Sequence, residues 1–583
     1  TYALSSFCTL FTISLFLPSF LPSFLLSLIA IAMKIPPHTD HFLLSNNLLS
    51  SLLDDIPLIS IFKGKWSSIR AKLSDLRTQL IDVSHFPNSS SNPLSLDFLH
   101  SVLEALTQAA SLSHKCRNPA LSDGKLKTQS DIDALLAKFD SLLKDGEVLI
   151  RSEILHDGVV SSSSSRREAV RAESRNLITR LQIGSIESRV LAIDSLLQLL
   201  NEDDKNVTIA AAQGAVPVLV RLLDSSSLEL KERAVAAISI VSMVDGVKHI
   251  MIAEGLVLLN HLLRILDSGS GFAKEKACLA LQPLSISKEN ARSIGSRGGI
   301  SSLLEICEGG TPGSQASAAA VLRNLASFSE IKENFIEENG VMVLLGLLAS
   351  GTPLAQENAI GCLCNLVLDD DNLKLLIVRE GGIEFLRNFW DSVPSARSLE
   401  VAVELLSLLA SYSPIAEALI SDGFVDRLLP VLSCGVLGAR TAAARAVYEL
   451  GFCTKTRKEM GESGFITPLV NMLDGKSVDE RKAAAKALSS LLQYSGNRKI
   501  FQKEERGIIS AVQLLDPSIS NLDKKYPVSL LSSVAISSKC RKQMVAAGAG
   551  LYLQKLVEMN VEGSKKLLES LGRGKIWGVF ARS

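Results

Sequence analysis

The sequence predicts an all-α protein in which a long array of helical repeats follows a smaller helical bundle. Three observations carry that prediction. Nine glycines, Gly214, Gly255, Gly299, Gly340, Gly382, Gly423, Gly464, Gly507 and Gly548, recur every 41 to 44 residues, and each opens onto an apolar run such as AVPVLVRLL or FITPLVNML. Some 19 to 22 residues after each of the first seven, a small residue begins a second apolar segment: Ala234, Ala277, Ala318, Ala359, Ala402, Ala443 and Ala484. Apolar residues follow four and seven positions later, which is one face of a 3.6-residue period. Upstream of residue 184 the glycine period is missing and four amphipathic stretches take its place. A period of about 40 residues marks stacked helical units, none of which can hide its apolar face alone.

Residues 1–32 carry no charged side chain and are long enough to cross a bilayer. Pro18 and Pro22 interrupt the run, no basic segment precedes it, residue 1 is not Met, and Met33 opens an ordinary sequence. A translated leader ahead of Met33 accounts for these facts; a membrane anchor over residues 7–32 and a cleaved signal are the alternatives. Residues 33–156 show helical periodicity in SNNLLSSLLDDIPLISIF, WSSIRAKLSDLRTQLIDVS, LDFLHSVLEALTQAASLSHKC and SDIDALLAKFDSLLKDGEVLIRSEIL, with polar breaks at 88–93 and 118–129. Four such helices predict an antiparallel bundle. A serine run at 161–165 and a helix to 183 form a linking segment, residues 157–183.

Residues 184–583 are the array, of about nine repeats, with 186–200 as the helix feeding the first and 565–580 as the closing one. The pieces GGTPGS (309–314), SGTP (350–353) and DSVPS (391–395) separate paired helices, their prolines suiting a loop or a first helical turn. The recurrent glycine is expected to end a short helix and turn the chain, a conformation that penalises a Cβ. Pro283, inside a second apolar segment, is expected to bend or shorten that helix.

Two motifs give the repeat its resemblance. An Asn/Asp/Glu-Gly-aliphatic turn stands as EGLVLL, NGVMVLL, EGGIEFL and DGFVDRLL, and an Ala-x-x-x-Leu-x-Asn-Leu segment as AAAVLRNLA and AIGCLCNLV. The chain thereby resembles the armadillo family over about residues 185–580; HEAT repeats share the length but lack the regular glycine. The resemblance implies a right-handed armadillo superhelix, an alpha-alpha solenoid, whose inner groove binds proteins. The helical region ahead of the repeats is similar to that of plant armadillo proteins, many of them related to U-box ubiquitin ligases. Those ligases place a domain of about 70 residues, opening with a Cys-Pro-Ile type segment, between the two parts; here only the serine run and the following helix occupy that place. The resemblance thus implies an armadillo scaffold or adaptor, with a ubiquitin-ligase-associated protein and a membrane-tethered one as alternatives.

Composition and motifs argue against catalysis. All eight histidines precede residue 262, so more than half of the chain has no imidazole for acid-base or metal work. Nine cysteines are scattered without a CxxC pair, and Cys362 and Cys364, two apart on a helix, point in different directions, so neither a metal nor another cofactor is expected. They suit a reduced intracellular protein, cytoplasmic or nuclear, or membrane-associated if residues 7–32 anchor it. Gly475-Lys476-Ser477 has Val470 where a phosphate loop needs its first glycine, and residues 572–578 miss the dinucleotide fingerprint. A formal net charge of zero with 5% aromatic residues is not the composition of a nucleic-acid binder. No enzyme and no small-molecule substrate are indicated, and a protein of unnamed identity is the expected partner.

In armadillo proteins that bind extended peptides, an Asn six residues after the small residue holds the peptide backbone and a Trp two residues after it packs on side chains. The Asn position reads Ile240, Pro283, Asn324, Asn365, Leu408, Glu449, Ser490 and Ser533; the Trp position has no Trp. A nuclear-import receptor is therefore disfavoured. Arg323, Asn324 and Asn365 are candidates to hold a main chain, Arg445 and Lys486 to attract acidic residues, and Glu404 and Glu449 to complete the groove.

Overall fold

A computed structural model describes residues 41–86, 88–117, 124–152, 154–155, 166–392 and 398–572, and all of their regular structure is helical. The apolar segment 1–32, the serine run 161–165, most of DSVPS and the end of the closing helix lie outside the described residues. The chain divides into two compact units, Thr1–His261 and Leu262–Ser583.

The first unit opens with α1 (His41–Asp55), α2 (Lys63–Ser84), α3 (Pro93–Arg117) and α4 (Lys125–Arg151). In α2 the buried residues Trp66, Ile69, Leu73, Leu76, Leu80 and Val83 step by three and four, so one stripe faces the core. They meet Leu49 and Leu52 from α1, Phe98, Leu99 and Val102 from α3, and Ile132 and Phe139 from α4. Burying such side chains contributes roughly 1.5–3 kcal/mol each, which is what holds four otherwise marginal helices together.

The neighbours in this bundle differ from a simple antiparallel arrangement. Around the core the order is α1, α2, α4, α3. Lys65 pairs with Asp133 at 2.5 Å and Lys72 with Asp140, so α2 and α4 run in the same direction. Arg117, at the end of α3, pairs with Asp55 at the end of α1, which makes that pair parallel too. The helices alternate in direction along the chain, yet half of the contacts around the core are parallel. Apolar spacing fixes which stripe is buried and leaves the choice of neighbour to cross-helix contacts like these.

The helix of the linking segment, Arg166–Ile183, and the helix feeding the first repeat, Ile186–Glu202, follow. The side chains of Thr311 and Thr352 accept from the backbone N–H of Ser314 and Ala355, and Pro312 and Pro353 occupy the first turns of the helices they open. The Gly271–Leu284 helix keeps 14 residues despite Pro283, the same length as Pro312–Leu325. The proline is not a shortening element because it sits in the last turn, where its missing N–H removes one hydrogen bond and the helix ends regardless.

Eight of the nine periodic glycines fill two different roles, and Gly255 marks a kink in Lys248–Ser268 with φ 46° and ψ −126°. Gly214, Gly423, Gly464 and Gly548 are themselves left-handed, with φ of 88°, 81°, 100° and 82°. In three other repeats the left-handed residue lies one place earlier, at Gly298, Asn339 and Gly381, and Gly299, Gly340 and Gly382 become the buried first residues of the next helix. A Cβ on Gly299 would stand 2.6 Å from Ile294 Cγ2, and one on Gly382 would stand 2.4 Å from Ile377 Cγ2. Gly507 has no positive φ either, and a Cβ there would meet Phe501 Cζ at 2.9 Å. At these four positions the sequence period marks a place of close approach; the expected turn conformation is taken by the preceding residue at the first three and by no residue next to Gly507.

Candidate functional site

Within the second unit, the helices Gly271–Leu284, Pro312–Leu325, Pro353–Val367, Leu399–Ala410, Leu437–Leu450, Val478–Leu491 and Lys525–Val534 pack each on the next. Their small residues and leucines, such as Ala318, Leu322 and Leu325 or Ala359, Leu363 and Leu366, are fully buried. Arg323, Asn324, Asn365, Glu404, Glu449 and Lys486 are half-buried on these helices, and Arg445 is exposed. All seven candidate residues lie on this single stack.

Asn324 and Asn365 are held alike. Asn365 Nδ2 donates to the carbonyl of Arg323 at 2.9 Å, and Asn324 Nδ2 donates to the carbonyl of Gln282 at 3.0 Å and to Ser285 Oγ at 3.0 Å. Each amide thus reaches a backbone oxygen 42 residues earlier, one repeat back. Ser490, in the same register, donates to the carbonyl of Gly451 at 3.0 Å. Among the described residues nothing donates to the Oδ1 of Asn324 or Asn365, and both side chains are half-buried. The result is a pair of oriented acceptors on successive helices.

The charged candidates behave differently. Arg445 pairs with Glu404, and Lys486 pairs with Glu449 at 3.2 Å, each across neighbouring helices. Lys486 also lies 4.0 Å above the ring of Tyr448 and 5.9 Å from that of Tyr526, the two rings meeting edge to face at 6.2 Å. Burial pushes the Glu404 carboxyl above its ordinary range, and Arg445 partly offsets this. The expectation that Arg445 and Lys486 wait for an acidic ligand therefore meets a structure in which both already face a carboxylate. Arg323 has no ion pair and no side-chain hydrogen bond among the described residues.

Sequence reasoning did not single out Tyr448 or Tyr526, which with Ser411, Glu449, Ser490 and Lys525 line a hollow of about 680 Å³ at the later end of the stack. The signal was present for one of them: Tyr448 follows Ala443 by five, as Arg323 follows Ala318. Cys278, Cys307, Cys362 and Cys364 are buried, and burial raises all four thiols, that of Cys307 to about 12. Such thiols are packing residues with little thiolate character. Among the described residues no three His, Cys, Asp or Glu side chains come together as metal ligands.

Residues 43–154, the α1–α4 region, match a domain of unknown function, DUF7032, and residues 203–243 match the armadillo/β-catenin-like repeat. No curated protein matches the chain. Among solved structures, the chain is similar to an engineered protein at 24% identity, covering 69% of this chain and 99% of that one with a TM-score of 0.57. It is also similar, at 16% identity, to a chain from a study of a phosphorylation switch in the interaction between cadherin and β-catenin, with 76% and 97% covered and a TM-score of 0.56. At these identities the likeness concerns the fold. The chain thus carries a matching armadillo repeat at 203–243 within an all-α superhelical array of armadillo fold, preceded by a helical domain.

Proposed function

We propose that the protein is a non-catalytic scaffold that binds an extended segment of a protein partner along the stacked rim helices of the second unit. The observation that carries this reading is the repeated posture of Asn324 and Asn365, each anchored through Nδ2 to the preceding repeat with Oδ1 left to accept from a ligand. Two acceptors on successive helices suit the repeating N–H groups of an extended main chain, and a pre-oriented amide loses little side-chain freedom on binding. A protein of the armadillo fold captured in the cadherin and β-catenin study offers a parallel at the level of fold.

The test is a selection of random nonamer peptides on the full chain, followed by solution binding. Selected peptides are expected to bind at least about tenfold more weakly to the Asn324→Ala, Asn365→Ala double variant, the scale of one or two lost hydrogen bonds at a half-buried site. Unchanged affinity would move the site off these two helices. Absence of any binder would remove the peptide-binding reading altogether. A link to ubiquitination rests on the resemblance of the N-terminal region alone, and direct capture of a ubiquitin-conjugating enzyme by the purified chain is its measurement.

A further inference from the structure

The groove holds three basic candidates, and the structure treats one of them unlike the others. Arg445 and Lys486 each face a carboxylate on the adjoining helix. Glu404, the acidic residue nearest in sequence beyond Arg323 among the candidates, pairs with Arg445 and not with Arg323. Arg323 has no such partner among the described residues, and its nitrogens are not sealed from solvent, since the side chain is only half-buried.

Its position is nevertheless well defined. The carbonyl of Arg323 is the oxygen that Asn365 grips at 2.9 Å, so the backbone at 323 is fixed against the next helix. Its guanidinium lies in the gap left by Gly361 on that helix: a Cβ at 361 would stand 2.5 Å from Arg323 Nε and 2.8 Å from Cζ. Glycine in a helix interior ordinarily costs about 0.5–1 kcal/mol relative to alanine, and here it makes room for an arginine whose fork has nothing to bind. An unpaired guanidinium one residue before Asn324, packed against the helix that carries Asn365, has the makings of a carboxylate site, because its planar donors match a carboxylate in two parallel hydrogen bonds.

We propose that Arg323, seated over Gly361, recognises an acidic side chain of the bound segment and so sets the sequence preference of the groove. This rests on the peptide-binding reading above and adds to it a chemical requirement, an Asp or Glu placed next to the residues whose backbone meets Asn324 and Asn365. The other two basic candidates, Arg445 and Lys486, already face Glu404 and Glu449, so the acid preference should be confined to one position of the ligand.

The nonamer selection tests this with three forms of the full chain: the native sequence, Arg323→Gln and Gly361→Ala. Peptides selected on the native chain are expected to share one acidic position, and its replacement by Gln should weaken binding about tenfold, the scale of one charge-assisted contact. The acid-to-Gln difference should shrink to under about twofold on Arg323→Gln. It should shrink likewise on Gly361→Ala, where the new methyl displaces the guanidinium while the charge remains. A melting temperature for Gly361→Ala at or above the native one separates this from unfolding, and if that variant melts lower, Arg323→Gln alone decides. Selected peptides with no common acidic position, or an acid preference that survives Arg323→Gln, would overturn the assignment while leaving peptide binding intact. A selection that yields no binder overturns both.

Discussion

Gly299 and Gly346 show how little the identity of a residue says apart from its surroundings. A Cβ on Gly299 would crowd Ile294 Cγ2 at 2.6 Å and Leu263 Cδ2 at 2.9 Å, whereas one on Gly346 would meet nothing within 4 Å. Gly299→Ala is expected to destabilise the second unit by about 1–3 kcal/mol, as overpacking does. Gly346→Ala, in the interior of the Gly340–Ser350 helix, should stabilise it by about 0.4–1 kcal/mol through the unfolded chain. Thermal melts of the two variants should therefore move in opposite directions. The period of the glycines was legible because every repeat needs the same close approach or the same turn. Which of the two a given glycine serves was not, since Gly298-Gly299, Asn339-Gly340 and Gly381-Gly382 each offer two residues able to take the left-handed turn. Asn324, Asn365 and Arg323 could be named from their register after the small alanine. The pairing of Arg445 and Lys486 could not, because their partners stand 41 and 37 residues away and only the stacking brings them near.

Between helices, buried charge decides more than exposed charge. Glu480 is 2% exposed, and Arg440 on the preceding stacked helix reaches its Oε1 through Nε and Nη2, both at 2.8 Å. Arg440 Nη1 also donates to the carbonyl of Cys434 at 2.8 Å, tying the loop before its own helix to the pair. Arg440→Ala would strand a carboxylate in the interior and is expected to cost about 3–5 kcal/mol; a joint Arg440→Met, Glu480→Leu change should recover most of that. Denaturation of the two variants by urea, followed by circular dichroism, measures the difference. In the bundle, Lys65 and Lys72 oppose Asp133 and Asp140, each pair of residues seven apart. Sliding α4 by one turn would break both ion pairs, so the charges select a register that the apolar stripe alone would leave open. The four bundle helices were readable from spacing; their ring order was not, because an apolar face does not say which neighbour covers it.

At the level of the whole chain, stability and proton uptake are linked through the cysteines. Cys278, Cys307, Cys362 and Cys364 are held by burial above the ordinary thiol value of 9.0. When the chain unfolds these thiols ionise near that value, whereas the folded protein keeps their protons. The folded state therefore binds more protons as pH rises past about 9, and stability falls through that range toward the folded values. Below about 9 both states are protonated and the contribution is fully present. Melting should occur at lower temperature at pH 10 than at pH 8, and Cys362→Ala should narrow the interval. A further consequence comes from the two asparagine amides. Because each is tethered to the repeat behind it, the distance between their free oxygens is set by how helices stack, and the lengths of the outer loops do not enter. The array carries a ruler whose graduations stay fixed when residues are inserted between Gly309 and Pro312 or between Ser350 and Pro353, so new loops can be added without recalibrating what the rim is able to measure.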